Sequence, residues 1–139
     1  MARPKTEPAY RSQLEKRVCN NLRNRRIHFD YEPYKLSYTT EVKTATCAKC
    51  GHNVALKQRN YTPDLVLSNG IIIEIKGKFT GAMRSKMLAI RNCNPHLDIR
   101  MLFQSDNWMT RKKAMRYSDW CERHGFIYHV GDKVPSSWV

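Results

Sequence analysis

Tyr61-Thr-Pro-Asp-Leu-Val-Leu-Ser-Asn-Gly-Ile-Ile-Ile-Glu-Ile-Lys-Gly77 is the stretch on which the reading of this chain turns. An apolar run ends at Val66-Leu67, Ser68-Asn69-Gly70 interrupts it, and Ile71 to Ile75 resumes it. Asn-Gly between two such runs predicts a β-hairpin with φ > 0 at both central positions. Asp64 then lies on the first arm, and Glu74 and Lys76 lie on the second. Side chains alternate along a strand, so Glu74 and Lys76 share a face with Cα atoms about 6–7 Å apart. Ile71, Ile73 and Ile75 take the opposite face and are expected in the core.

Two carboxylates and a lysine on one sheet face suit divalent-metal chemistry. Hard Mg²⁺ takes carboxylate oxygens, usually with waters and substrate phosphate completing its shell. A metal pair can activate water and stabilise the leaving oxygen of an in-line displacement, and the lysine can neutralise charge developing on a phosphate. Pro63-Asp64, nine residues, then Glu74-x-Lys76 is the PD-(D/E)xK spacing of metal-dependent nucleases. The plain alternative is a solvated strand face with a cross-strand ion pair, which contributes little.

The 139 residues are enough for one domain with a sizeable core. The chain carries 25 Lys+Arg against 12 Asp+Glu, a formal charge of +13, and this excess points to a polyanion, above all nucleic acid. No stretch reads as a membrane span or a signal peptide. Residues 1–10 read as a basic arm with Arg3 and Lys5, and residues 11–139 as a single domain. Five cysteines with one close pair argue against a disulfide framework and for a reducing cytoplasm.

Residues 11–26 read as a helix, with Leu14, Val18 and Leu22 forming its apolar stripe. Ser12 and Glu15 match a capping box, so Glu15 either caps this helix or leans toward the Asp64–Glu74 face. Residues 28–38 read as one strand disturbed by Pro33 that pairs with the hairpin. Residues 39–60 read as a polar connection around Cys47-Ala-Lys-Cys-Gly-His52. CxxCG is a turn that lets two thiolates grip Zn²⁺. Cys47, Cys50 and His52 with a fourth ligand, or four cysteines shared by two chains, would complete a site; a surface loop with free thiols is the alternative. Further on, residues 80–92 read as a helix, 98–104 as a strand, 114–124 as a helix closed by Gly125, and 126–130 as a strand. Cys19, Cys93 and Cys121 read as small buried hydrophobes. The order predicts an α/β fold with a mixed central sheet flanked by helices.

The residues Tyr10-Arg-Ser-Gln-Leu-Glu15, Ile27 to Tyr38, Tyr61-Thr-Pro-Asp64, Asn69 to Gly77, Ile90-Arg91, Pro95 to Arg100, Trp120 to Gly125 and Val134 to Trp138 follow a known pattern in order. On them the chain resembles the phage T-seven endonuclease I family, enzymes of the PD-(D/E)xK type that resolve four-way (Holliday) DNA junctions. The resemblance runs from about residue 10 to the end. It implies a catalytic set of Glu15, Asp64, Glu74 and Lys76, with two Mg²⁺ or Mn²⁺ ions held by Glu15, Asp64, Glu74 and the Ile75 carbonyl. It implies nicks leaving 5′-phosphate and 3′-hydroxyl. It also implies an intertwined homodimer that exchanges the first helix and strand. A phage-type protein would work in a bacterial host cytoplasm. Residues 39–60 depart from the family pattern: the connection is longer and carries the Cys47–Cys50 element, which favours a zinc site shared across a dimer.

The competing expectation is a non-catalytic basic DNA-binding module stabilised by zinc. Acids placed where phosphates approach would weaken such a binder, which favours catalysis. The candidates for contact with branched DNA are Arg3, Lys5, Arg11, Lys78, Arg84, Lys86, Arg111 and Lys112.

Overall fold

The structure, a computed structural model, describes residues 10–43 and 54–139. Its elements in order are α1 (Gln13–Asn24), β1 (Phe29–Tyr31), β2 (Leu36–Lys43), β3 (Val54–Tyr61), β4 (Leu65–Leu67), β5 (Ile72–Lys76), α2 (Gly81–Cys93), β6 (Ile99–Phe103), α3 (Tyr117–His124), β7 (Ile127–Val130) and a short 3-10 turn at Ser136–Trp138. Five strands form one mixed sheet in the order β1-β4-β5-β6-β7. β4 is antiparallel to both of its neighbours, β1 and β5, and β5, β6 and β7 run parallel through the α2 and α3 crossovers. The expected mixed sheet flanked by helices is present.

The hairpin forms at the expected place with a different turn. Gly70 N–H bonds Leu67 C=O, Leu67 N–H bonds Ile71 C=O, and the strands then pair as Val66↔Ile72 and Leu65↔Ile73. Only Gly70, at φ 89°, has positive φ; Asn69 does not, and its Oδ1 accepts from Ile71 N–H instead. This is the three-residue loop with glycine in the left-handed bulge position, not the two-residue loop the dipeptide suggested.

Successive β5 residues feed two different cores. Ile73 and Ile75 join Leu65, Leu67 and Leu102 under α1, which contributes Leu14, Val18, Cys19 and Leu22. Ile72 joins Met101, Phe103, Met87, Ile90, Trp120 and Cys121 under α2 and α3. Both faces of β5 are therefore covered, and Glu74 is 2% exposed, not solvated. Burying each such aliphatic side chain stabilises by about 1.5–3 kcal/mol, so the sheet is held from both sides.

The expected single strand over 28–38 is two elements. β1 pairs with β4 in the main sheet, and after Glu32 (φ 46°) and Pro33 the chain enters β2. β2 and β3 form a separate antiparallel ribbon from Leu36↔Tyr61 to Lys43↔Val54, where the sequence suggested only a connection. Tyr38 and Tyr61 anchor the ribbon in the α2–α3 core, while Ala55 to Asn60 are exposed. Within the single chain, α1 and β1 cover the chain's own sheet. Cys19 and Cys121 are buried as expected, but Cys93 at the end of α2 is exposed, its thiol meeting Thr39 of the ribbon.

Candidate active site

Asp64 precedes β4 and Glu74 sits across from it on β5, so the hairpin brings together two carboxylates separated by ten positions. Their main-chain and side-chain groups interlock. Asp64 N–H donates to Glu74 Oε1 at 3.2 Å, and Ile75 N–H donates to Asp64 Oδ2 at 2.9 Å. The Tyr61 hydroxyl donates a hydrogen bond to the same Glu74 Oε1. Lys76 Nζ lies 3.3 Å from Glu74 Oε2 and 3.7 Å from Asp64 Oδ2.

This cluster works against ordinary solvation. Burial first, and Glu74 second, push the Asp64 carboxyl up from its usual range to about 7, against the opposing pull of Lys76. Burial alone would lower the Lys76 pKa, but Glu74 and Asp64 outweigh it and hold the ammonium above the ordinary lysine value. Burial and the neighbouring Glu74 carry the Tyr61 phenol well above its usual pKa, so it remains a hydrogen donor.

Glu15 is buried at the start of α1. Ser12 Oγ caps the helix by accepting from Glu15 N–H at 3.1 Å, but the reciprocal half of the capping box is not made. The Glu15 carboxylate instead accepts from the Tyr31 hydroxyl at 2.7 Å and from Arg11 N–H at 3.2 Å. α1 packs on the Ile73–Ile75 face, opposite to Glu74, yet the Glu15 charge still contributes to the field at Lys76. Among the described residues, no three His, Cys, Asp or Glu side chains close into a ready-made metal cage. The sequence reading missed Tyr31 and Tyr61 as partners of the acids. Tyr61 opens the Tyr-Thr-Pro-Asp motif, which was the one local signal available.

The basic candidates divide. Arg11 pairs with Glu32 at 2.7 Å, and Arg84 donates to Phe79 C=O at 2.5 Å, so both are engaged within the fold. Lys86 lies over the Tyr61 ring at 5.8 Å. Lys78, Arg111 and Lys112 are exposed and make no salt bridge among the described residues. Arg3, Lys5, Cys47, Cys50 and His52 lie outside the described residues. Among the described residues, no helix is long and apolar enough to cross a membrane.

The sequence profile of the phage endonuclease I family matches residues 1–139. The chain is 35% identical over 133 residues to the Endonuclease I of Escherichia phage T7, covering 94% of this chain and 78% of that protein. It is 36% identical over 121 residues to the Endodeoxyribonuclease 1 of Enterobacteria phage T3, covering 86% and 70% respectively.

Proposed function

The chain belongs to the phage endonuclease I family, and from that premise we propose that it is a DNA endonuclease that cuts four-way and other branched junctions by divalent-metal-dependent phosphodiester hydrolysis. The observation that carries the chemistry is the Lys76 ammonium held between the buried Asp64 and Glu74 carboxylates. Burying two like charges side by side costs several kcal/mol, which a protein that only binds DNA gains nothing by accepting.

The donor set fits Mg²⁺ or Mn²⁺. Its side chains are hard oxygens, and Mg²⁺ is commonly held by one or two carboxylates with water and phosphate supplying the rest. A bound cation would also relieve the repulsion that raises the Asp64 pKa. Asp64, Glu74 and the Ile75 carbonyl would hold one ion, and Asp64 with Glu15 a second. When bound, such ions lower the pKa of the attacking water and neutralise the leaving oxygen. The protein's own groups prepare the site. Tyr61 O–H and Asp64 N–H fix Glu74 Oε1, so that Oε2 faces Lys76. Tyr31 and Arg11 N–H orient Glu15. Lys76 is placed to donate to a scissile-phosphate oxygen as charge builds there. The products would be 5′-phosphate and 3′-hydroxyl ends.

We place the enzyme in a bacterial host cytoplasm as a homodimer that exchanges α1 and β1. Each site would then take Glu15 from one chain and Asp64, Glu74 and Lys76 from the other. The contacts of α1 and β1 are the same whichever copy supplies them, and a two-fold dimer presents paired sites to paired strands. Cys47, Cys50 and His52 are proposed as zinc ligands, within one chain or across the dimer. Zinc-free purified protein, or unchanged dimer stability in Cys47→Ser/Cys50→Ser, would reject that assignment.

The function is tested by incubating wild-type protein with a synthetic four-way junction and with linear duplex of the same sequence, in Mg²⁺ and in EDTA. Cuts near the branch point only in Mg²⁺ are expected. Binding without cutting in either Mg²⁺ or Mn²⁺ would reject the enzyme, and equal cutting of linear duplex would reject the branch selectivity.

A further inference from the structure

β6 runs parallel to β5 and ends level with the candidate site, since Phe103 pairs with Lys76 and Gln104 N–H bonds the Lys76 carbonyl at 3.1 Å. The chain leaving β6 therefore starts beside the catalytic lysine, at the carboxyl end of parallel strands where open α/β sheets receive their ligands. It does not pass directly into α3. Residues 106–116 double back as a small hairpin. Trp108 and Arg116 form an antiparallel bridge, Met109 N–H bonds Met115 C=O at 2.8 Å, and Tyr117 N–H bonds Asn107 C=O at 3.1 Å. The tip closes from Lys113 N–H to Thr110 C=O at 3.1 Å, with Lys113 at φ 51°.

This hairpin is anchored on its inner side and cationic on its outer side. Met109 and Met115 pack against the α2–α3 core. The Asp106 carboxylate accepts from Ser118 N–H (3.0 Å) and Oγ (2.6 Å), and Asp119 accepts from Arg116 N–H at 2.8 Å. Both acids are thus turned to the α3 N-terminus. Arg111, Lys112 and Lys113 are exposed, and none makes a salt bridge among the described residues. The Arg116 guanidinium lies over the Trp108 ring, 4.2 Å from its centroid, and the indole remains 40% exposed. A fixed tryptophan backed by a cation beside free lysines and arginine is poorly explained as packing. It matches what an exposed base face requires: an aromatic ring to stack on the base and cations for the flanking phosphates.

We propose that the 106–116 hairpin is a DNA clamp beside the scissile phosphate. Trp108, stiffened by Arg116, stacks on a base face exposed where stacking is interrupted at a branch point, and Arg111, Lys112 and Lys113 grip the backbone next to it. The proposal rests on the nuclease reading and adds to it the element that recognises the branch.

The test is equilibrium binding in EDTA, by fluorescence anisotropy, to a four-way junction and to linear duplex of the same sequence. Trp108→Ala is expected to weaken junction binding about tenfold, the effect of losing one stacked base, with little change on duplex. Trp108→Phe, which keeps an aromatic face, should recover most of the loss. The triple Arg111→Ala/Lys112→Ala/Lys113→Ala variant should reduce the slope of log K against log salt by about 2–3 on both DNAs. Junction affinity of Trp108→Ala within about twofold of wild type, well under a stacking contribution, would overturn the clamp. An equal loss on duplex and junction, or no rescue by phenylalanine, would overturn it too. Cleavage by wild type in Mg²⁺ is scored separately. Its absence would reject the nuclease reading while the Trp108 result still judges the clamp.

Discussion

On one face of β5, Ile73 and Ile75 meet Leu14, Val18 and Leu22 of α1 in a wholly apolar core. On the other, Glu74 is as deeply buried as the isoleucines but faces Asp64, Lys76 and the Tyr61 hydroxyl. Adjacent residues of one strand thus sit in opposite regimes. The isoleucine face supplies stability in proportion to the area it removes from water. The acid face draws on that stability, because its charges are paired with each other and not with solvent. The rigidity of the first is what keeps the second in place.

Breaking the acid face at its cation should have the largest effect. Lys76→Met is expected to slow junction cleavage about 10²–10³-fold. It also leaves two buried carboxylates without their counter-charge, so the metal-free melting temperature should fall and Mg²⁺ should raise it again. A fall that Mg²⁺ does not reverse would argue against a metal at these acids. On the apolar face, Ile73→Ala should destabilise by about 2–5 kcal/mol through the cavity it leaves, measured by chemical denaturation. Below the melting transition its cleavage rate should stay near wild type, since no acid contact is lost.

Tyr61→Phe sharpens the comparison at the boundary between the faces. Glu74 Oε1 keeps the Asp64 N–H but loses the phenol. A loss of about 10–100-fold in metal affinity or rate is expected, read as a rightward shift of the Mg²⁺ titration. An unshifted titration would make Tyr61 a packing residue only.

Read only as metal-free stability, Asp64→Asn gives the smallest effect and the clearest sign. The folded Asp64 pKa is raised to about 7 from the ordinary carboxylate value of 3.8, so between these values the folded state holds more protons than the unfolded one. Its contribution to stability therefore falls as pH rises through that window. The metal-free variant should melt about 3 °C or more above wild type near neutral pH, and the gap should close toward pH 4. A gap independent of pH would show that Asp64 ionisation is not its cause.

The comparison also explains what the sequence made legible. Asp64, Glu74 and Lys76 are brought together by a hairpin only a few residues long, and local alternation is enough to place them. Helix α1 was readable from Leu14, Val18 and Leu22, and its cap from Ser12. The β2–β3 ribbon was not, because its described outer residues are polar along both faces, as in Lys57-Gln58-Arg59-Asn60, and give no period of two. The Tyr31–Glu15 bond joins residues whose meeting depends on tertiary packing, which no spacing rule reports. The start of α3 was read as residue 114 instead of Tyr117, because the Trp108–Arg116 bridge claims the intervening residues. Asn69-Gly70 located the turn but not its type: the type depends on how the strands register, not on the dipeptide alone.

The most direct measurement is single-turnover cleavage of a four-way junction in Mg²⁺ by Glu74→Gln beside wild type, with junction binding in EDTA measured on the same samples. Glutamine keeps an oxygen for Tyr61 and Asp64 N–H, but it removes the charge and turns an amide NH2 toward Lys76 in place of the Oε2 acceptor. If Glu74 serves the chemistry, binding is retained and cleavage falls at least about 10²–10³-fold. Cleavage at the wild-type rate by a folded, junction-binding Glu74→Gln would contradict the assignment of this corner as the active site.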